Sequence, residues 1–271
     1  VTRILHLSDP HFGTVPDGLA DALADCLRGL SPDITVVSGD LTQRARPAQF
    51  RAARAFLAAC PAPVLAIPGN HDTPLWNPLR RLLQPWGHWQ RHLGQPLQAT
   101  LTAADTAIVA LNTADPRRWK DGTITTAQLD TLSRSFATCR ARHRIVALHH
   151  PPEPARGEPP SLHGAPAALA AFRDLGVEMV LSGHLHFTHI APLAAAPAIL
   201  SVQAGTCLSD RTRGDGNAFT CIDLTGTGAR LTHYRATPSG RFEPDLAHDW
   251  ARGPQGWELV RPVPPSPAPP P

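Results

Sequence analysis

The stretch Thr2-Arg3-Ile4-Leu5-His6-Leu7-Ser8-Asp9-Pro10-His11 decides how this chain reads. Residues 2 to 8 are a short, mostly apolar run of the kind that makes a buried strand, and Pro10 turns the chain just past its end. Asp9 and His11, two positions apart on that turn, can both point at one ion. Hard carboxylate oxygen beside borderline imidazole suits Mn, Fe, Zn or Co rather than calcium. One such pair is by itself the usual content of a turn or cap, so the weight falls on whether the pattern recurs.

It recurs four more times. Gly39-Asp40 follows the apolar run 33–38, Gly69-Asn70-His71-Asp72 follows 64–67, His149-His150 follows 145–148, and Gly183-His184-Leu185-His186 closely follows 179–181. The carboxyl ends of strands are where α/β folds place their active sites. Gly-Asp alone is a common turn dipeptide. A loop rich in Asn, His and Asp has no obvious core role, although it can cap a helix. His149 and His150 emerge together ahead of Pro151 and Pro152, one able to serve as a ligand and the other as its buttress. His184 and His186 lie on the same side of an extended segment. Singly, each cluster has a structural explanation; as an ordered set they describe a two-metal hydrolase.

Between the first two runs, Leu19, Leu23, Leu27 and Leu30 stand at helical spacing, which makes a βαβ unit. Phe50, Ala53, Phe56 and Leu57 predict a second helix over 47–59. Further strands are expected at 107–111, 145–148 and 179–181, with helices at 126–139 and 166–175. Beyond residue 186 the texture changes to short strands at 199–203, 218–223 and 230–234 joined by Gly-rich turns. A β-rich second half implies a second sheet, hence a layered sandwich of the α/β class with the loops of one edge forming the site. Residues 263–271 are a polyproline-like, low-complexity tail, expected to be disordered.

The chain has 271 residues, 42% of them hydrophobic, enough for one large domain or two small ones. Its net charge of +3 is spread as scattered Arg, which tolerates an anionic substrate without demanding nucleic acid. The five cysteines, Cys26, Cys60, Cys139, Cys207 and Cys221, contain no CxxC pair, so a disulfide scaffold is not expected and a reducing cytoplasm is the simplest location. Cys207 reads as a small buried residue. No secretory signal opens the chain, and the apolar stretch 191–200 is too brief to cross a bilayer, so no membrane partner is expected. Nothing specifies an oligomeric state; a dimer is compatible with the sequence.

Asp-x-His, Gly-Asp, Gly-Asn-His-Asp, a His beside proline and Gly-His-x-His, in that order over residues 9 to 186, resemble the calcineurin-like metallophosphoesterase family. His149-His150-Pro151-Pro152, Gly183-His184-Leu185-His186 and the later Ala204-Gly205-Thr206 are similar to the bacterial class III cyclic-nucleotide phosphodiesterases within it. The resemblance implies a four-layer αββα sandwich with two mixed sheets and a dinuclear metal site at strand ends. It divides the chain into a metallophosphoesterase domain over 1–245 and a Pro-rich extension over 246–271.

Position by position, the resemblance puts Asp9, His11 and His186 on one metal and Asn70, His149 and His184 on the other, with Asp40 bridging. His150 would stand behind His149. His71, held by Asp72, would contact the phosphate and assist the leaving oxygen. Two divalent ions sharing Asp40 would lie about 3.5–4 Å apart and hold a bridging hydroxide. Two carboxylates and that hydroxide leave about one positive charge, which complements a phosphodiester monoanion.

The expected function is therefore metal-dependent hydrolysis of a small phosphodiester such as a 3',5'-cyclic nucleotide. A nuclease or phosphomonoesterase on the same core is the enzymatic alternative, and a binding scaffold that has lost its metals is the non-catalytic one. Nucleic acid is not favoured, since no basic block is present. Purple acid phosphatases carry Tyr three positions after the bridging Asp; here Gln43 stands there and Tyr234 is the sole tyrosine, so no tyrosinate-iron chromophore is expected. Trp76, Trp86, His88 and Trp89, in an irregular region, and Arg117, Arg118, Trp119 and Lys120 are read first as loop packing over the sheet edge, and otherwise as a rim that stacks a base and attracts phosphate. Arg211 and Arg213 are open to both readings.

Overall fold

In the first strand Ile4 packs on one side and Leu5 and Leu7 on the other, and the same alternation repeats in each strand that precedes a polar cluster. The structure, a computed structural model, describes residues 1–61 and 63–263. In chain order the first elements are β1 (Thr2–Leu7), α1 (Leu19–Gly29), β2 (Ile34–Ser38), α2 (Pro47–Ala59), β3 (Val64–Ile67), α3 (Pro78–Leu83) and α4 (Gly87–His92). Next come β4 (Ala99–Ala103), β5 (Thr106–Ala110), β6 (Gly122–Thr123), α5 (Thr126–Ala137), β7 (His143–Ala147), β8 (Leu162–His163), α6 (Ala165–Asp174) and β9 (Met179–Ser182). The last are β10 (His189–Leu193), β11 (Ala196–Gln203), β12 (Ala218–Leu224), β13 (Gly228–Ala236), β14 (Phe242–Gly253) and β15 (Gly256–Val263).

Two mixed sheets result. One runs β15-β14-β13-β12-β1-β2-β3, with β1, β2 and β3 parallel; the other runs β10-β11-β9-β7-β5-β4, with β11, β9, β7 and β5 parallel. Three apolar clusters define the layers. Ile4, Val36, Ile67, Ile145, Leu181 and Ile222 fill the space between the sheets. Leu5, Leu7 and Val37 pack outward under Leu23 and Leu27 of α1, Phe50 and Phe56 of α2 and Trp89 of α4. Val146 and Val180 pack outward under Leu132 and Phe136 of α5 and Phe172 of α6. The architecture is thus the αββα sandwich. Each wholly buried Phe or Leu in these layers contributes roughly 1.5–3 kcal/mol by leaving water.

Two expectations need correction. The division after residue 245 falls inside β14, which pairs with β13 and β15, and Trp250 and Trp257 of this hairpin are buried in the inter-sheet core. Residues 246–263 are therefore sheet, and only 264–271 of the proline-rich tail lie outside the described residues. Register shifts between Tyr234 and His233 and between Asp249 and Trp250 interrupt the period-2 pattern, which hides these strands from a reading of alternation. The Trp-rich region is helical rather than irregular: Asn77 Oδ1 accepts the Arg80 N–H (2.9 Å) to cap α3, and α4 buries Trp89 against α2. Six-residue helices are too short to display a periodicity.

Two core histidines are expected to make the fold acid-labile. Burial drives the His6 imidazole down to about 3, and burial, with Arg235 nearby, drives His233 down to about 4. Both folded-state values lie below the unfolded 6.5, so the unfolded chain binds more protons in this interval. Stability is fully present above pH 6.5 and is lost as the pH falls towards 3–4. The expected slope is up to about 1.4 kcal/mol per pH unit for each group. Urea titrations from pH 7 to 4.5 check this; a flat midpoint would remove the assignment.

Candidate metal centre

The polar clusters converge because the pairing of the parallel strands continues past their ends. Beyond β1 and β2, Asp9 N–H donates to Gly39 O (3.1 Å) and His11 N–H to Asp40 O (3.0 Å). Beyond β7 and β9, Gly183 N–H donates to His149 O (3.0 Å). Asp9, His11, Asp40, His184 and His186 all hold positive φ, between 45° and 73°, and account for five of the nine such non-glycine residues among the described residues. That conformation costs of order 1–3 kcal/mol per residue and persists where the surroundings over-determine it, typically at functional sites. Glycine precedes the strained residues for reasons of space as well: a Cβ on Gly39 would overlap the His149 ring, and one on Gly183 would overlap Ser8 and the Asp9 carboxylate.

Two groups of ligand atoms meet there. In the first, His186 Nε2 lies 3.0 Å from His11 Nε2 and 3.3 Å from Asp9 Oδ1, and His11 Nε2 lies 3.7 Å from Asp40 Oδ2. In the second, His149 Nε2 lies 3.3 Å from Asn70 Oδ1 and 3.4 Å from the same Asp40 Oδ2, with His184 alongside. Asp40 is thus common to both. The outer nitrogens are committed: His149 Nδ1–H donates to Ser38 O (2.8 Å) and His186 Nδ1–H to Arg211 O (2.9 Å). Their Nε2 lone pairs therefore face carboxylate and amide oxygens, which are also acceptors. Asp9 Oδ1 and His184 Nε2 are buried with no hydrogen-bond partner. Acceptors converging on acceptors require a cation, and this mixed N/O donor set fits divalent metals.

The electrostatics agree. Burial pushes the Asp9 carboxyl up, but the adjacent His11 and His186 outweigh it and hold Asp9 well below the usual range. Asp40 is likewise held low against burial by His149 and His71. In return, Asp40 lifts His149, against the effect of burial, to about 9, and Asp9 raises His186. Protons on these rings answer the same demand that a divalent cation would answer. Burial and the neighbouring His149 push His184 down to about 3, so its lone pair is free across the neutral range.

The structure brings all seven expected ligands together and revises the surroundings. Asp72 does not hold the His71 ring. Its carboxylate sits at the end of a 3₁₀ turn, Asn70–Asp72, and accepts from Gly69 N–H (2.9 Å), Leu41 N–H (3.0 Å), Thr42 N–H (2.8 Å) and Thr42 Oγ1–H (2.9 Å). The His71 ring is instead oriented by Gln43 O, which accepts from Nδ1 (2.8 Å), while His71 N–H donates to Asp40 Oδ1 (2.8 Å). His150 belongs to the second histidine group, yet both its ring nitrogens are occupied: Nδ1 pairs with Thr113 Oγ1 (2.8 Å) and Nε2 donates to Lys120 O (2.9 Å). Burial and the adjacent His184 and His149 keep it neutral. Backbone carbonyls of Ser38, Gln43 and Arg211 were invisible to a reading by residue type, because any residue supplies one.

A cleft of about 380 Å³ opens over Asp40, Asn70, His71, His184 and His186. Its rim carries Trp119, Lys120, Arg211 and Arg213. The 115–120 loop is moored to the centre, since Asn70 Nδ2–H donates to Trp119 O (3.4 Å). Arg81 lies over one face of the Trp119 ring, 5.0 Å from its centroid. Arg117 turns instead to Asp115 (3.0 Å). Trp86, His88 and Trp89 pack with α2, in line with the packing reading, whereas Trp119 borders the cleft. Tyr234 stacks on Phe219 in the outer core, and Gln43 occupies the place beside the centre. The five cysteines are free thiols and Cys207 is buried. No described helix is long and apolar enough to cross a membrane.

Histidine and carboxylate side chains that could hold metal converge at the ends of parallel strands in two stacked sheets, on one shared aspartate, an arrangement suited to a dinuclear metal hydrolase. The calcineurin-like phosphoesterase profile matches residues 2–187, and the chain belongs to that family; it is a metal-dependent phosphoesterase. It is 30% identical over 241 residues to a cAMP/cGMP dual specificity phosphodiesterase of Mycobacterium tuberculosis, covering 80% of this chain and 74% of that one. It is also 30% identical over 258 residues to a glycerophosphodiester phosphodiesterase of Enterobacter lignolyticus, covering 86% and 90%. A dimetal phosphatase from Danio rerio shares the fold, with a TM-score of 0.62 at 16% identity over 86% of this chain and 95% of the other.

Proposed function

We propose that this chain hydrolyses a small phosphoric diester, with a 3',5'-cyclic nucleotide as the favoured substrate, and that Asp9, His11 and His186 hold one metal, Asn70, His149 and His184 a second, and Asp40 both. The observation that carries the reading is Asp40 Oδ2 lying within 3.7 Å of His11 Nε2 and 3.4 Å of His149 Nε2 beneath a cleft with a cationic rim. The cleft, about 380 Å³, has room for a small molecule, and the relatives named for cyclic-nucleotide and glycerophosphodiester hydrolysis support a small diester over a polymer. Mn, Fe, Zn or Co suits the donor set. When bound, the cations supply Lewis-acid activation of water and neutralise phosphoryl charge.

The chain's own residues do the rest. Asp9 and Asp40, held ionised, fix the charge of the centre, and the carbonyls of Ser38 and Arg211 aim the two imidazoles. Gln43 O fixes the ring of His71 so that Nε2 is the atom offered to the cleft, where it can deliver a proton to the departing alcohol. His71→Ala is expected to slow turnover by about 10²–10⁴-fold. Metal content should be unchanged, because only the backbone N–H of His71 touches Asp40. Equal loss of metal, read by elemental analysis, would make His71 structural or a ligand.

The function itself is tested by reconstituting the protein with each metal and measuring turnover of cyclic nucleotides, a glycerophosphodiester, an aryl diester, an aryl monoester and DNA. Cyclic nucleotides ranking first supports the reading. Preference for the monoester or DNA replaces it by another phosphoesterase, and absence of metal uptake at neutral pH revives a non-catalytic scaffold.

A further inference from the structure

The rim of the cleft carries three cationic side chains, Lys120, Arg211 and Arg213, and their surroundings differ. Arg213 is neutralised by Glu158, Nη1 to Oε1 2.6 Å. Lys120 is an exposed point charge on a flexible stem. Arg211 is half-buried and has no carboxylate within 4.0 Å among the described residues. Its Nη1 lies 3.2 Å from His71 Nε2 and 3.2 Å from Gln43 Oε1, neither of them a carboxylate, and Nε and Nη2 have no partner among the described residues.

The position of Arg211 is set by the centre. Its own carbonyl accepts from His186 Nδ1–H (2.9 Å), and its N–H donates to Ser209 Oγ (3.2 Å). Ser209 Oγ meets Thr206 Oγ1 (2.8 Å), which donates to the carbonyl of Asp9 (2.6 Å). Two expected ligands of one metal thus anchor the peptide of Arg211 at either end of a short chain of hydrogen bonds. A guanidinium so placed, over the site and without a counter-anion, is poised for an anion that arrives from solution. Its unused donors form the planar fork that matches two oxygens of a phosphate.

We propose that Arg211 binds the non-bridging oxygens of the substrate phosphate through Nε and Nη2, while Nη1 keeps its contact with Gln43 Oε1 and leaves His71 Nε2 to the departing alcohol. This inference rests on the phosphodiesterase reading and adds to it the residue that selects an anionic phosphoryl group and aligns it with His71. Arg213 and Arg117, already neutralised by carboxylates, have no such role.

The test uses the metal-loaded full chain, with Arg211→Ala and Arg211→Lys. Two readouts are taken: kcat and KM on an aryl diester, and the affinity of inorganic phosphate measured by calorimetry. In Arg211→Ala both kcat/KM and phosphate affinity should fall by about 10–100-fold, the worth of a charge-assisted contact, with metal content retained. Arg211→Lys should restore part of each, since it returns the charge without the fork. Unchanged phosphate affinity in a folded, metal-loaded Arg211→Ala protein overturns the proposal, as does loss of metal in that variant, which would make the side chain structural. Should the wild type turn over no diester yet lose phosphate binding on Arg211→Ala, the diesterase reading falls and the role of Arg211 stands.

Discussion

Asp40→Ala is expected to lower turnover by about 10³-fold or more and to reduce the metal content of the purified protein. The carboxylate lies against the ligand nitrogens of both groups, 3.7 Å from His11 and 3.4 Å from His149, and its other oxygen accepts the His71 N–H at 2.8 Å. Removing it takes one of two negative charges from a buried centre and separates the two groups electrostatically. Asp40→Asn divides charge from hydrogen bonding, because the amide oxygen can still accept from His71. That variant should fold like the wild type and still lose most of its activity. In its metal-free form His149 should also return from about 9 towards its ordinary value, since the charge of Asp40 opposes burial in lifting it. Unchanged turnover and metal content in Asp40→Ala would require another residue to link the sites.

Asp72→Ala should act on stability first. The buried carboxylate collects three peptide N–H groups and the Thr42 hydroxyl, from Gly69 on one side and Leu41 and Thr42 on the other. It therefore ties the loop carrying Asn70 to the loop carrying Asp40. Burial and the Asp40 charge push its pKa up to about 7 while those donors pull it back. Alanine leaves three buried N–H groups without an acceptor, at about 1–3 kcal/mol each, for a loss of roughly 3–9 kcal/mol. Against a typical total of about 5–15 kcal/mol, that brings the fold near its limit. Urea denaturation of the apoprotein measures it directly. Wild-type stability with slowed turnover would return Asp72 to the chemistry.

Helix 47–59 and strand 64–67 could be read to the residue because each has one buried face at a clean period. The hairpin of β14 and β15 could not, since its register shifts break the alternation that would mark it. The same contrast holds at the site. Asp9, Asp40, Asn70, His149 and the His184–His186 pair stand out because each follows its own strand, a local pattern. His150 looks equivalent to His149 in sequence, and only its contacts with Thr113 and Lys120 distinguish them. Asp72 looks like the partner of His71 because it is adjacent, whereas Gln43 O, 28 residues away, holds the ring.

Residue type and local spacing were thus enough to place side chains suited to metal at strand ends, and the family resemblance to nominate ligands among them, because an apolar strand followed by glycine and polar side chains is written over a few neighbouring positions. Tertiary structure alone decided which atoms face one another. It set His11 against His186, 175 residues away, and left Arg211 without a counter-anion above them. Those relations depend on how two sheets stack and how their loops pair across the edge, and no short stretch of chain encodes a distance between sheets.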